Sequence, residues 1–368
     1  MLFGFLSGAK ALRHVEGVTR DLGSWARRYV SRRAPDTTLS DLIPRLSPKD
    51  LREQLITQMK SAWRAKELTP VGLPCGVITF DGKGTGALTH DACGSAQKNH
   101  RDDGSEYFLS RMFRAVLTSA ESRPCLDQMS IGAHSNEVAE FGRFYDRLLK
   151  SYGGNNDLFE IVDVDAGMTS KGNADLIHES HKAYVMALKE NQPELLAEAH
   201  RLLGNLRKPE AETPWECYKG RRIQRRFFRT TEIAGYHDWQ HLKQVWRVEQ
   251  ITKDPNGKEH QEDRYFLTSL HSGRLTATQS LHVVRSHWRV ENDCFWSLDM
   301  QWMEDSHPWC TTGLSVEILS WIRLMAYNLL QFARRRTLRK HNVEAPPPWH
   351  DVFSWVRQAL QLESPVFA

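Results

Sequence analysis

Two short apolar runs, each closing on an aspartate, constrain this chain more than anything else in it. The first is Val77-Ile78-Thr79-Phe80-Asp81 and the second is Ile161-Val162-Asp163-Val164-Asp165. Runs of this length, rich in β-branched residues, read as buried strands. A carboxylate at the exit of such a strand is costly unless it is paired or holds a cation. Ligands of open α/β sheets gather at those strand ends. The residues around the two runs alternate in character. Strands are predicted at 107–118 and 125–131. Helical periodicity follows over 136–152, with Val138, Phe141, Phe144, Tyr145, Leu148 and Leu149 on one face and a stop at Gly153-Gly154-Asn155-Asn156. A strand over 158–165, a helix over 174–180 and a strand over 183–188 complete the alternation. The pattern predicts a mixed α/β sheet. The glycine-rich stretch 82–86 reads as a turn closing the first strand.

The rest of the chain differs. After a helix reaching about residue 206, strands are predicted at 223–231, 244–252 and 264–270, with a turn at Asp254-Pro255-Asn256-Gly257. This reads as a β-rich insertion into the α/β core. Residues 1–70 read as helical and polar, a small module ahead of that core, with Ser47 capping a helix that begins at Pro48. From residue 277 onward the chain reads as helix, broken near His307-Pro308 and at Pro346-Pro347-Pro348.

Composition narrows the class. The chain has 368 residues, 40% hydrophobic and 26% charged, with a net charge of +4. That is an ordinary globular balance, and the charge permits nucleic-acid binding without arguing for it. Residues 1–70 carry 13 Lys and Arg against 7 Asp and Glu, so this end is basic. Arg221-Arg222, Arg225-Arg226 and Arg334-Arg335-Arg336 are phosphate-contact candidates or solvated faces in equal measure. Six scattered cysteines with no CxxC pair argue against a structural zinc site or a disulfide framework. A reducing cytoplasm is expected, with no signal peptide. The apolar stretch 314–332 contains Glu317 and Arg323, which makes it a buried helix rather than a membrane span.

The third piece of the site is Glu291, in Arg285-Ser286-His287-Trp288-Arg289-Val290-Glu291-Asn292. A helix is predicted over 278–303, and His287 lies one turn before Glu291 on the same face. The two ligate a metal together, or Glu291 holds the metal while His287 contacts a phosphate. A lone strand-end aspartate is more often a turn or cap residue. Two of them followed by a helical glutamate form the set that holds two divalent metals over a phosphodiester. Asp165 is preferred to Asp163 because it sits at the strand exit beside Ala166 and Gly167. Gly82-Lys83-Gly84 lacks the P-loop spacing, and His237-Asp238-Trp239-Gln240-His241 lacks the glutamate of a zinc-protease helix.

These residues carry a resemblance. The blocks are Asp81-Gly82-Lys83, Ser135-Asn136-Glu137, Val164-Asp165-Ala166, Lys189-Glu190-Asn191-Gln192-Pro193, Arg264-Tyr265-Phe266-Leu267-Thr268-Ser269-Leu270 and His287-Trp288-Arg289-Val290-Glu291-Asn292, continuing to Leu298-Asp299 and Glu304-Asp305. In that order, over roughly 40–335, the chain resembles the DDE transposases of bacterial insertion sequences, H-repeat-associated (ISAs-type) family. It departs from the family's pattern at Gly84-Thr85-Gly86-Ala87, at His134 and at Phe295.

The resemblance implies an RNase H-like mixed-sheet core, α/β in class, in two parts (71–194 and 273–340). A β-rich insertion at 195–272, a helical N-terminal region at 1–70 that binds DNA ends, and a tail at 341–368 complete the expected layout. It implies Asp81, Asp165 and Glu291 as catalytic metal ligands for two Mg²⁺, with Mn²⁺ able to substitute. The expected partners are the DNA of the terminal repeats and of the target, with a homodimer in the synaptic complex and no membrane; the chain would be nucleoid-associated when bound. Lys83, His287 and Arg289 are the candidate phosphate contacts. Trp239 and Trp246 either stack on an unpaired base or, with the greater weight, pack their own core. Two alternatives stay open: a decayed or repurposed transposase that binds DNA without cutting, and a nuclease that hydrolyses without joining.

Overall fold

Alternating apolar residues make the first run part of a mixed sheet far larger than the run itself. The computed structural model describes residues 1–88, 96–153, 158–307, 309–310, 312–341 and 345–363. Part of the predicted stop at 153–156 and the predicted break at Pro308 lie outside them. Five helices come first: α1 (Leu2–Leu6), α2 (Leu12–Arg20), α3 (Ser24–Arg27), α4 (Asp36–Leu42) and α5 (Pro48–Arg64). Ser47 caps α5 as expected, accepting from the Asp50 N–H. Strands β1 (Val77–Leu88), β2 (Gln97–His100), β3 (Glu106–Leu117) and β4 (Cys125–Ile131) lead to α6 (Glu137–Tyr152). Next come β5 (Ile161–Val164), α7 (Lys171–Glu179), β6 (Ala183–Leu188) and α8 (Pro193–Leu203). Then β7 (Ala211–Glu212), β8 (Glu216–Tyr218), β9 (Arg221–Thr230), β10 (Gln244–Lys253) and β11 (Glu259–Thr268) precede α9 (Ala277–His287). A π-helical segment (Val290–Phe295), α10 (Trp296–Trp302), α11 (Gly313–His341) and α12 (Trp349–Gln361) follow.

The sheet runs β2-β3-β1-β5-β6-β11-β10-β9-β7, with β4 on β3 and β8 on β9. Strand β5 is parallel to both β1 and β6, and the other pairings are antiparallel. One face carries Ile78, Phe80, Val162 and Val164, and α6 covers it. Phe80 makes edge contacts with Phe141, Phe144 and Tyr145 there. The opposite face carries Val77, Ile161 and Val185, packed with Leu281, Val283 and Val284 of α9. Period-two alternation thus assigns the two faces to two different helical layers.

Several expectations change here. The glycine stretch is strand, not turn: Gly82, Lys83, Gly84 and Thr85 pair with Phe113, Met112, Arg111 and Ser110. A Cβ on Gly84 would stand 2.7 Å from the Leu109 side chain, so neighbouring side chains fill the room that the glycine leaves. The β-rich insertion joins the core through its edge. Strand β11 pairs with β6 from Tyr265↔Leu188 to Thr268↔Val185, so β9–β11 extend the central sheet and cover what would be an open edge. The ends of the chain join the core as well. Phe5, Leu55 and Met59 belong to the main apolar cluster along with Trp349 and Phe353 of α12. The expected tail is therefore a packed helix, and the Trp302 indole donates to the Phe5 carbonyl at 2.9 Å.

Gly76 sets the register on which the site depends. Its carbonyl accepts from the N–H groups of Glu160 and Ile161, and a Cβ there would lie 2.0 Å from the Leu158 carbonyl oxygen. Backbone cannot yield as a side chain does. Gly76→Ala is expected to cost about 1–3 kcal/mol, the range of overpacking. Urea unfolding would read this as a lower midpoint at an unchanged slope.

Candidate active site

The parallel ladder between β1 and β5 runs from Val77↔Ile161 to Phe80↔Val164. Asp81 and Asp165 are the next residues in step, so both leave the ladder at the same level. Alternation turns them to the face of Thr79 and Asp163, whose side chains bond across the two strands at 2.9 Å. Beyond Val164 the chain bends, and Asp165 caps the 3₁₀ turn Ala166–Met168 by accepting from the Met168 N–H at 3.1 Å. The two aspartates are thus side by side by strand geometry alone.

Glu291 comes from the helical layer on that face, within the helix expected over 278–303, which is interrupted by a turn at Trp288 and takes π-helical form around Glu291. Helix α9 closes at His287, and the π-helical segment Val290–Phe295 carries Glu291. Single π turns are uncommon inside helices and occur often at functional sites. The Glu291 side chain is exposed. It is close enough to act on Asp81, whose carboxyl is pushed up to about 7. Burial is the main cause; nearby His287 opposes it, while Glu291 and Asp165 add repulsion. A half-buried carboxylate repelled by two others is chemically suited to a divalent cation. Among the described residues, no three His, Cys, Asp or Glu side chains stand close enough to hold an ion as a group.

His287 is committed to a partner that the sequence treated as a rival for catalysis. Its Nδ1 lies 2.9 Å from the buried carboxylate of Asp163. Burial alone would lower the imidazolium, but Asp163, with Asp81 and Asp165 behind it, wins and pushes the pKa up to about 9. The Asp163 carboxylate thus occupies Nδ1 and orients the ring. Nε2 is the ring nitrogen left for a phosphate.

Of the other phosphate candidates, Lys83 is the more enclosed. Its ammonium forms an ion pair with Asp299 and lies 3.5 Å from Glu304, with the side chain only 8% exposed. Its charge is neutralised inside the protein. Arg289 is 41% exposed and 3.7 Å from Asp293, so it remains available to a ligand. Trp239 and Trp246 are buried, the latter bonded to Gln244 at 3.3 Å, so neither offers a face to a base.

The motif Lys189-Glu190-Asn191-Gln192-Pro193 had no role in the sequence, and here it has one. The Asn191 amide donates to the carbonyls of Ala166 (2.8 Å) and Thr169 (3.2 Å), and Gln192 donates to Thr169 at 3.2 Å. These bonds fasten the turn that carries Asp165. Only the placement of an Asn-Gln pair just after β6 could have hinted at it. Asn191→Ala should cost about 1–2 kcal/mol in hydrogen bonds and should weaken metal binding, which isothermal titration with Mn²⁺ would detect as a raised Kd. A cleft of about 630 Å³ opens beside Asp165, lined by Lys189, Arg264, His287 and Trp288 among others.

A mixed α/β sheet that delivers two aspartates to the end of its parallel ladder, with a helical glutamate near enough to repel one of them, defines a carboxylate-centred α/β protein. The chain belongs to the Transposase DDE domain family, whose model matches residues 84–329. The match includes Asp165 and Glu291 and begins three residues after Asp81. "Putative transposase YncI" of Escherichia coli O157:H7 is 27% identical over 224 residues, covering 58% of this chain. The chain spans about half of that relative, 54% of its length. "Putative protein YbfL" of Escherichia coli strain K12 is 24% identical over 360 residues, covering 92% of this chain and 86% of the relative. Among solved structures, a piggyBac transposase synaptic complex with hairpin DNA aligns at a TM-score of 0.44 and 10% identity, covering 98% of this chain and 79% of its own.

Proposed function

We propose that the chain is a DNA transposase of insertion-sequence type, of the H-repeat-associated branch, that cuts the ends of its element and joins them to target DNA. Asp81, Asp165 and Glu291 are its metal ligands. The observation that supports this reading is the register Phe80↔Val164, after which Asp81 and Asp165 leave neighbouring strands in step, with Glu291 near enough to push the Asp81 carboxyl up. The donor set suits Mg²⁺, a hard cation that needs few carboxylates, and Mn²⁺ would substitute. A cation held there supplies Lewis-acid charge to the scissile phosphate.

The chain's own groups do the rest. Asn191 and Gln192 hold the turn bearing Asp165. Asp163 fixes the His287 ring so that Nε2 can bond a phosphate oxygen. We read 71–194 and 273–340 as the RNase H-like core, and 195–272 as its extension. Residues 1–70 are the candidate DNA-end binding region. Among the described residues no helix is long and apolar enough to cross a membrane. A homodimer on DNA, in the cytoplasm, completes the proposal.

The test is a plasmid carrying the element's ends, incubated with purified protein and Mg²⁺. Nicking that EDTA stops, followed by joined products, is the expected result. Nicking without joining would leave only the nuclease reading. DNA binding with no nicking would leave the non-catalytic one.

A further inference from the structure

Two partly exposed clusters near the helical layer have the same composition: two arginines share one carboxylate. In the first, Arg123 of the β3–β4 turn and Arg289 reach the same Asp293 oxygen, at 2.6 and 3.7 Å. In the second, Arg285 of α9 meets both Glu216 oxygens at 2.8 Å, and Arg225 of β9 meets one of them at 3.2 Å. In each cluster two guanidinium groups face the one carboxylate they share, and each is partly open to solvent. Arg289 is 41% exposed, and Arg285 and Glu216 are 31% and 36% exposed. Crowded cations cost energy in the free protein: Arg225 is held below the usual guanidinium range by burial first and by Arg285 next. A polyanion repays that cost. Arg289 and Asp293 each stand two residues from Glu291, and Arg285 stands six before it. The clusters therefore lie along the segment that carries the glutamate.

We propose that these two arginine pairs form a phosphate track, seating successive backbone phosphates of duplex DNA on its way to the carboxylates. The track rests on the transposase reading. It also gives the β-rich segment a function, because Glu216 and Arg225 belong to β8 and β9. Asp293 and Glu216 are placeholders that hold the guanidinium groups in position until a phosphate arrives.

The experiment is the salt dependence of duplex DNA binding, measured by fluorescence anisotropy on the full chain without metal. Each phosphate contact contributes about 0.9 to the slope of log K against log salt. The double variant Arg285→Gln/Arg289→Gln should be shallower by about 1.8. Glu216→Gln frees a charge and should bind more tightly, with a steeper slope. Lys150→Gln, on α6 against the opposite face of the sheet, should match the wild type. An unchanged slope in the double variant, with wild-type binding intact, overturns the track and leaves the transposase reading standing. Wild-type protein that binds no duplex but passes a folding check removes the reading and the track together. Weaker Glu216→Gln binding with a normal melting curve also overturns the placeholder role.

Discussion

Asp81→Asn is expected to abolish metal-dependent DNA cleavage by at least about 10³-fold, the scale of removing a preorganised charge from a reacting centre. The same change is expected to hold or raise the melting temperature. The two effects have one cause. Asp81 sits in a half-buried position where burial, Glu291 and Asp165 all oppose its ionisation, so its carboxyl is pushed up to about 7. The neutral isostere relieves that repulsion and keeps the shape. A residue that destabilises the free protein and is needed for turnover is the usual signature of a functional site. Single-turnover cleavage beside calorimetry checks both halves. Asp81 is also the residue on which the family match is silent, because the match starts at residue 84. Full cleavage by the Asn variant would transfer the role to another carboxylate, with Asp163 the first to test. Asp163→Asn is expected to behave differently: it leaves the His287 ring without its countercharge and should lower stability as well as rate.

How much of this was legible depended on where each signal lay. The strands β5 and β6 announced themselves because strands buried on both faces are continuous apolar runs. The adjacency of Asp81 and Asp165 followed once both were strand exits. Other features have no local signal. The glycine stretch 82–86 looked like a turn, because the residues that keep it extended, such as Phe113 and Met112, lie some thirty positions away. The π turn at Glu291 changes the phase of the helix with no change in composition. Asp163 and Asp165 share a face by period two, and only the contact with His287, 124 positions away, assigns them different tasks. The strands of the β-rich insertion were legible, but its edge pairing with β6 was not, since that is a tertiary choice. Leu298-Asp299 and Glu304-Asp305 were recognised only as part of a pattern, and their physical reason lies under the site.

That reason gives the second large effect: Glu304→Gln is expected to destabilise the chain by about 3–5 kcal/mol, the range for breaking a buried ion pair from one side. Glu304 is fully buried. Arg114 of β3 binds both its oxygens at 2.7 and 2.9 Å, Arg323 of α11 is 3.3 Å away, and Ser320 donates at 3.1 Å. Lys83 of β1 adds a charge at 3.5 Å. Arg114 stands opposite Asp81 in the β1–β3 ladder, so this network supports the same face that carries the site. Gln keeps the volume and one acceptor but leaves Arg114 and Arg323 buried without a countercharge. Burial opposes ionisation of Glu304, yet Arg114, Lys83 and Arg323 hold its carboxyl well below the usual range. A folded-state pKa depressed in this way contributes stability above the unfolded glutamate value, about 4.3. That contribution is lost as the pH falls through the folded pKa. The variant should therefore lose stability at neutral pH and show a flatter acid limb. Replacing both partners, as in Arg114→Met/Glu304→Met, should cost less than Glu304→Gln alone, because no charge is then stranded. Urea unfolding at several pH values separates these outcomes. A loss below about 1 kcal/mol in Glu304→Gln would mean that water reaches the network and that α11 is held to the sheet by apolar packing alone.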